Sequence, residues 1–412
     1  MYNFSRIMQH IDWKHINFNE LDTILRINPQ DKSMINEEIG VSGTPLALAC
    51  KHKREDLLTV LLFHGARTDK CVSCDLRQPL HYACDHKSGN RGMVRKLLES
   101  GAEINAQDID GFTGLHLACR KGNIPVVELL LENGARVDLA GLRRNTPLVD
   151  ACCSFSADLV NILLKAGSDP NVSDGLPVKV AISTPSPTIL NLLVDAGAQV
   201  VGKGYLSIAC STGYMQIIKT LLEYDVDVNE PNQKNMTPLE SALHSSINCA
   251  STLRVLLENG ASIHLVPSLL HLACCFSNTA AIKLLLAYGA DANVSDSFGN
   301  PLMTILRKIE DWHIDPTKRH VQTVHLLIAA GSKLSHGHLK IANITNRSMK
   351  PMSDELKTIL AMLMEMEASP ADLQFQCRIV IRRSVPPNKD EHIAKLPLPN
   401  QVIRYLTFDE VE

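Results

Sequence analysis

Aromatic residues are scarce in this 412-residue chain, where Phe, Tyr and Trp together make up only 4% of the sequence. A core with so few rings must be built from Leu, Ala, Val and Ile, which suits thin layers of stacked helices. Apolar runs of the roughly eighteen residues that a membrane span needs are also missing, and the N-terminus is polar where a signal peptide needs an apolar run. The sequence therefore predicts a soluble chain with no membrane partner, located in the cytoplasm or also in the nucleus.

The sequence also has no large excess of positive or negative charge. The 41 Lys and Arg residues oppose 44 Asp and Glu residues, which gives a net charge of −3. This balance excludes the strongly basic signature of a general nucleic-acid binder. The sequence also lacks a phosphate-binding glycine loop, a paired-carboxylate motif and a nucleophile with a matching base. We therefore expect no catalytic residue and no cofactor.

Cysteines are too sparse for a disulfide scaffold, with 12 in the whole chain. Six of them follow an Ala in one recurring context, which indicates core packing: Cys50, Cys84, Cys119, Cys152, Cys210 and Cys274. Cys71 and Cys74 form a C-x-x-C close to His81 and Cys84. A zinc site there is an alternative, although His81 and Cys84 also belong to the repeat described next.

One short motif recurs at intervals of about 33 residues. Its leucine anchors are Leu46, Leu80, Leu115, Leu148, Leu206, Leu239, Leu270, Leu302 and Leu339, with Val178 between the fourth and the fifth. A second landmark, Gly-Ala or a variant, ends most units, and Asp225 replaces its glycine in one of them. Three motifs carry a histidine at the same position: His81, His116 and His271. Because this histidine recurs with the repeat, we interpret it as a structural hydrogen-bonding residue.

Each unit predicts two helices and a polar finger. Thr44 can cap the first helix and Pro45 fits its first turn. Gly134 supplies a left-handed residue that ends a second helix. Units of this length and pattern resemble ankyrin repeats, which implies an all-α ankyrin-repeat solenoid. The resemblance covers nine repeats over 43–332, preceded by an N-terminal capping segment over 1–42 with a helix around Leu21, and followed by a degenerate terminal repeat over 333–369.

Two repeats depart from the pattern. The repeat at Leu302 contains about ten extra residues, from Lys308 to His320. We interpret them as a loop insertion, and Trp312 within it is either a cover for the loop or an anchor for a partner. The repeat at Val178 is rich in proline, which predicts a short or distorted first helix.

The repeat pattern stops after Met366. The next predicted helix places Leu373, Cys377 and Ile381 on one stripe, with Val380 beside them. A segment further on reads Leu396, Pro397, Leu398 and Pro399, followed by a short apolar helical face. Together, after an ankyrin array, these two segments resemble the SOCS box of the ankyrin repeat and SOCS box family, here a small helical unit over 370–412.

The resemblance implies an adaptor without chemistry of its own. In this family the first helix is the BC box, about 371–384 here, which docks elongins B and C. The second segment is the cullin box, about 395–408 here, which selects cullin-5 and its RING protein. The chain would then be the substrate-recognition subunit of a ubiquitin ligase that promotes proteasomal degradation of a bound protein. The alternative is a non-catalytic ankyrin scaffold or sequestering protein with a vestigial SOCS box.

The repeats would hold an unidentified protein substrate. Two groups of residues are expected to be exposed on the finger side although the fold does not require them there. The basic group is Lys51, His52, Arg120, Lys121, Arg143 and Arg144, and the apolar group is Ile109, Phe112, Phe276 and Phe298. The alternative is a solvated surface with scattered apolar residues.

Overall fold

A computed structural model describes most of residues 43–333 and the helix Asp354–Ala368, together with parts of 11–39. The gaps between 43 and 333 are residues 72–73, 89, 143, 246, 297–298 and 312–316. The described residues form nineteen α-helices and no β-strand, so the prediction of an all-α ankyrin-repeat fold is confirmed. Within these ranges, no helix has the length and apolar character needed to cross a bilayer.

The chain divides into two compact units, Met1–Val200 and Val201–Glu412. The first contains five helix pairs: Pro45–Lys51 and Glu55–Phe63, Pro79–Cys84 and Arg91–Glu99, Gly114–Lys121 and Ile124–Glu132, Pro147–Cys153 and Ala157–Lys165, and Val172–Ile182 and Pro187–Asp195. First helices pack on neighbouring first helices, and second helices pack on neighbouring second helices. The fingers connect one pair to the next.

The second unit contains four further pairs: Tyr205–Thr212 and Met215–Glu223, Pro238–His244 and Cys249–Glu258, Leu269–Cys275 and Thr279–Ala287, and Pro301–Asp311 and Lys318–Ala329. A 3₁₀ turn, Ile263–Leu265, precedes the third of these pairs. The helix Asp354–Ala368 packs on Lys318–Ala329.

The first helices begin where the motif predicts. Thr44 is the N-cap residue of its helix, and its hydroxyl accepts a hydrogen bond from the Ala47 N–H (3.3 Å). In the third repeat, the Thr113 N–H donates to Nδ1 of His116 (3.1 Å). Since Nδ1 accepts, the ring proton lies on Nε2, which donates to the Asn145 carbonyl of the next finger (3.1 Å). The histidine thus joins a helix cap to the following repeat.

The other two motif histidines make the same kind of bond to a finger. Nε2 of His81 lies 3.0 Å from the Phe112 carbonyl oxygen, and Nε2 of His271 lies 2.9 Å from that of Gly299. The interpretation of these histidines as structural is therefore confirmed.

The second helices end on residues with positive φ. Gly134 has a φ of 83°, which residues with a Cβ rarely adopt, so its predicted role is confirmed. Asp225 takes the same place in the sixth repeat with a φ of 57°. The six cysteines of the motif are fully buried in the core, as their recurrence predicts.

The two irregular repeats differ in outcome. In the repeat at Val178, the residues from Ser173 to Gly175 have positive φ values that interrupt the first helix, so its predicted distortion is confirmed. The expected loop insertion from Lys308 to His320 is partly wrong. The first helix continues through Lys308 to Asp311, and the second begins at Lys318. Trp312 and Leu21 lie outside the described residues.

Candidate substrate surface and C-terminal box

The predicted basic residues of the early repeats fall into two classes. Lys51 and His52 end the first helix of the first repeat and are exposed. Arg120 and Lys121 end the third repeat's first helix, but their charged groups are already bound to carboxylates. Arg143 lies outside the described residues, and the neighbouring Arg144 is exposed with a φ of 59°.

Phe112 was expected to be an exposed apolar residue, and that expectation is wrong. Only 8% of the residue is exposed. The Arg120 guanidinium lies over its ring, 4.3 Å from the centroid, and the His116 ring meets it edge-on. Gly141 of the next finger leaves room for the ring, because a Cβ there would lie 3.3 Å from the Phe112 Cε1. Phe112 therefore fills the space between neighbouring fingers.

The other apolar candidates are more varied. Ile109 is 53% exposed at the tip of its finger. Phe276 follows the first helix of the eighth repeat, is 49% exposed and meets the His244 ring edge-on. Phe298 lies outside the described residues.

Asp150 is a buried acid that the sequence analysis missed. Its Oδ1 accepts hydrogen bonds from Nε and Nη2 of Arg120, at 3.2 and 3.1 Å. Its Oδ2 is buried without a hydrogen-bond partner among the described residues. Burial raises the pKa of this carboxyl to about 6, although Arg120 opposes the shift. The sequence did contain a signal for Asp150. It stands two residues after the anchor leucine, and two other repeats have Leu48 and Leu117 at that position.

A polar cavity opens beside the first helices of the first two repeats. Its volume is about 300 Å³, and its lining includes Lys51, Asp75, Arg77, Tyr82, Asp85 and His86. Arg77 is central, because Nε lies 3.2 Å from Asp108 Oδ2 and Nη1 lies 3.3 Å from Asp85 Oδ2. The sequence analysis identified only Lys51 among these residues. The other five lie within residues 75–86, and the stacking of the first repeat on the second places Lys51 beside them.

The alternative of a zinc site gains no support from the geometry. Both ring nitrogens of His81 are engaged with backbone groups, and the Cys84 thiol is fully buried. Across the part of the chain that the structure describes, no three His, Cys, Asp or Glu side chains form a group that could hold a metal ion.

All residues predicted for the BC box and the cullin box lie outside the described residues. They are Leu373, Cys377, Val380, Ile381, Leu396, Pro397, Leu398 and Pro399. Comparison with known proteins shows which family this segment matches.

Family models match both parts of the chain. Ankyrin repeats match over residues 14–108, 90–174 and 179–267, and a single ankyrin repeat matches over 268–297. The SOCS box matches over residues 369–407. The chain belongs to the ankyrin repeat and SOCS box family. The SOCS-box match contains the eight site residues named for the BC and cullin boxes.

Two relatives of this ankyrin repeat and SOCS box chain are proteins called ankyrin repeat and SOCS box protein 11, from Homo sapiens and Pongo abelii. Each is 26% identical over 176 residues, which is 41% of this chain and 50% of the relative. The chain thus spans about half the length of these curated relatives. Ankyrin repeat protein nuc-2 from Neurospora crassa is 31% identical over 119 residues, which is 29% of this chain and 10% of that protein.

Proposed function

We propose that this chain is the substrate-recognition subunit of an elongin B/C–cullin-5–RING ubiquitin ligase. The observation that carries the proposal is the SOCS-box match over residues 369–407, which follows an ankyrin array in the same chain. The ankyrin repeats would bind a protein substrate, and the SOCS box would bind the ligase core. Ubiquitin transfer would then be accelerated by proximity, because tethering raises the local concentration of substrate lysines near the charged conjugating enzyme.

The BC box gives the first test. A helix that docks in an apolar groove draws its affinity from a few buried anchors, here Leu373 and Cys377. The double change Leu373→Pro, Cys377→Phe is expected to abolish co-purification of elongins B and C with the full chain. A matched control is Leu265→Pro, Cys275→Phe, at two exposed sites in the second unit. Undiminished elongin capture by the BC-box variant would contradict the proposal.

The cullin box gives the second test. Replacing Leu396, Pro397, Leu398 and Pro399 by Ala removes the fixed backbone and the apolar contacts of that segment. Cullin-5 association should be lost while elongin binding is retained, because the two boxes are separate segments. Equal recovery of cullin-5 by both forms of the chain would contradict the cullin assignment. Failure of the wild-type chain to capture elongins B and C would favour the alternative of a scaffold with a vestigial box.

We also propose that a protein substrate binds on the finger side of the early repeats. The exposed candidates Lys51, His52, Ile109 and Arg144 support it there. Arg120 and Lys121 contribute less, because their charged groups already bind Asp150 and Asp85. Phe276 is an exposed candidate in the second unit.

A further inference from the structure

The cavity of about 300 Å³ in the first repeats has carboxylates that are already occupied. Oδ1 of Asp75 accepts a hydrogen bond from the Arg77 backbone N–H (3.0 Å), and its Oδ2 accepts one from the Tyr82 hydroxyl (3.1 Å). Oδ1 of Asp85 lies 3.1 Å from the Lys121 ammonium group, and its Oδ2 lies 3.3 Å from Arg77 Nη1. A positively charged ligand would have to displace these partners.

The cations of the same cavity are less engaged. Lys51 lines the cavity, is exposed and forms no ion pair with any of the described residues. Arg77 uses Nε and Nη1 for Asp108 and Asp85, which leaves its Nη2 without a partner in the described ranges. A carboxylate entering the cavity could therefore accept hydrogen bonds from both Lys51 and Arg77.

The charges of the lining cancel, so the free donors of Lys51 and Arg77 can serve one added negative charge. Lys51 and Arg77 balance Asp75 and Asp85 among the lining residues. His86 adds no charge near pH 7, because burial lowers the pKa of its ring, and its Nε2 bonds to the Cys50 carbonyl. A phosphate group with two charges would meet two carboxylates with too few free cations to offset them. The geometry suits the carboxylate of an Asp or Glu side chain.

Exposed apolar residues continue from this cavity along the fingertips. Leu76, Ile109 and Leu142 occupy the tips of three successive fingers, with 45%, 53% and 75% of each residue exposed. Main-chain hydrogen bonds hold the fingers together, since the Ile109 N–H donates to the Asp75 carbonyl (2.9 Å) and the Leu142 N–H donates to that of Asp110 (2.8 Å). Asp75 thus connects the cavity wall to an apolar row.

We propose that the first three repeats and the finger that follows them bind an extended acidic-apolar segment of the substrate. One carboxylate side chain of that segment lies in the cavity between Lys51 and Arg77, and apolar side chains contact Leu76, Ile109 and Leu142. This deepens the proposed role of the chain as a substrate receptor and rests on it. Packed helices lie about 8–10 Å apart, and an extended chain advances about 3.3 Å per residue. The apolar side chains should therefore recur about every third residue.

Fluorescent peptides provide the test with the full chain. The probe carries one Glu and then Leu at every third position, with Gly and Ser between them, and a second version has the reverse order. Matched probes replace the Glu by Gln, Lys or phosphoserine, or replace each Leu by Ser. Fluorescence anisotropy should show the better Glu probe binding at least roughly tenfold more tightly than its Gln and Leu-free partners, because a charge-assisted hydrogen bond is lost in the first and apolar contact in the second.

Variants of the chain locate the binding. Lys51→Glu should remove the preference for the Glu probe and favour the Lys probe. Leu142→Ser should weaken the binding of both the Glu probe and the Gln probe. Lys219→Glu and Phe63→Ser are matched controls, because both residues are exposed on second helices. Both controls should leave probe binding unchanged, and all four variants should keep the melting temperature of the wild type.

Several results would overturn the proposal. They are absence of binding by every probe, equal binding of the Glu and Gln probes, tighter binding of the phosphoserine probe, and an equal loss in the control variants. Elongin capture by the same variants separates this proposal from the proposed function. Failed peptide binding with intact elongin capture refutes only the acidic-apolar surface, whereas lost elongin capture in the wild-type chain refutes the ligase assignment.

Discussion

Replacing Asp150 by Asn tests whether burial or the Arg120 pair dominates the energetics of this carboxylate. The residue is 3% exposed on the helix Pro147–Cys153. Arg120 binds Oδ1, and Oδ2 has no hydrogen-bond partner among the described residues. Burial raises the pKa from 3.8 to about 6, which means that desolvation of the charged form outweighs the attraction of Arg120. Asn keeps the shape of the side chain and removes the charge.

The magnitude follows from proton linkage. Because the folded protein binds this proton more tightly than the unfolded chain, Asp150 contributes most stability below its ordinary pKa of 3.8 and loses that contribution as the pH rises to about 6. A shift of about two pKa units corresponds to ~3 kcal/mol. The Asn variant has no such loss. The unfolded carboxyl is already partly ionised at pH 4, so the free energy of unfolding of Asp150→Asn, minus that of the wild type, should rise by ~2 kcal/mol between about pH 4 and pH 7.5.

Urea unfolding followed by circular dichroism at the two pH values measures this difference. The comparison with wild type is essential, because His116 acts in the opposite direction. Its pKa is lowered to about 4 by burial, so its contribution increases with pH over much of the same range. The exposed Asp195 supplies the control Asp195→Asn, which makes the same substitution at a surface site. A flat difference for Asp150→Asn would show that Arg120 offsets the cost of burial, and a falling one would show that it more than offsets that cost.

The remaining predictions concern caps, turns and the core. Gly213→Ala should lower the free energy of unfolding of the second unit by more than ~2 kcal/mol, because φ is 73° and the new Cβ would clash with the Ile247 carbonyl oxygen. Gly122→Ala, with a φ of 74° and no atom within 4 Å, should cost only ~1 kcal/mol in the same assay. His116→Ala should cost ~1–3 kcal/mol, since the Thr113 N–H and a finger carbonyl lose their partner; an unchanged urea midpoint would refute that role. Leu163→Ala, fully buried, should cost ~2–5 kcal/mol through the cavity it leaves, and a smaller loss would mean that the neighbouring helices close it.

The local sequence determined the helical repeats. Thr44 followed by Pro45 specifies a helix start, and a glycine such as Gly134 specifies an end, because these effects act within one turn of chain. The recurrence of these signals at a fixed period was enough to predict an all-α array of helix pairs. The SOCS-box motif is likewise a local pattern, and the family comparison matches the same segment.

The tertiary structure decided which side chains are free to bind. In the sequence, Arg120, Lys121 and Phe112 are all candidates for an exposed surface. In the structure, Asp150 binds Arg120, Asp85 binds Lys121, and the neighbouring finger covers Phe112. Each partner is about 30 residues or more away along the chain. The polar cavity depends in the same way on Lys51 and Arg77 from adjacent repeats. Exposure is set by contacts between repeats, and a repeat's own sequence contains only one side of each contact. That is why the periodic pattern predicts the helices, whereas the surface emerges only when the repeats are stacked.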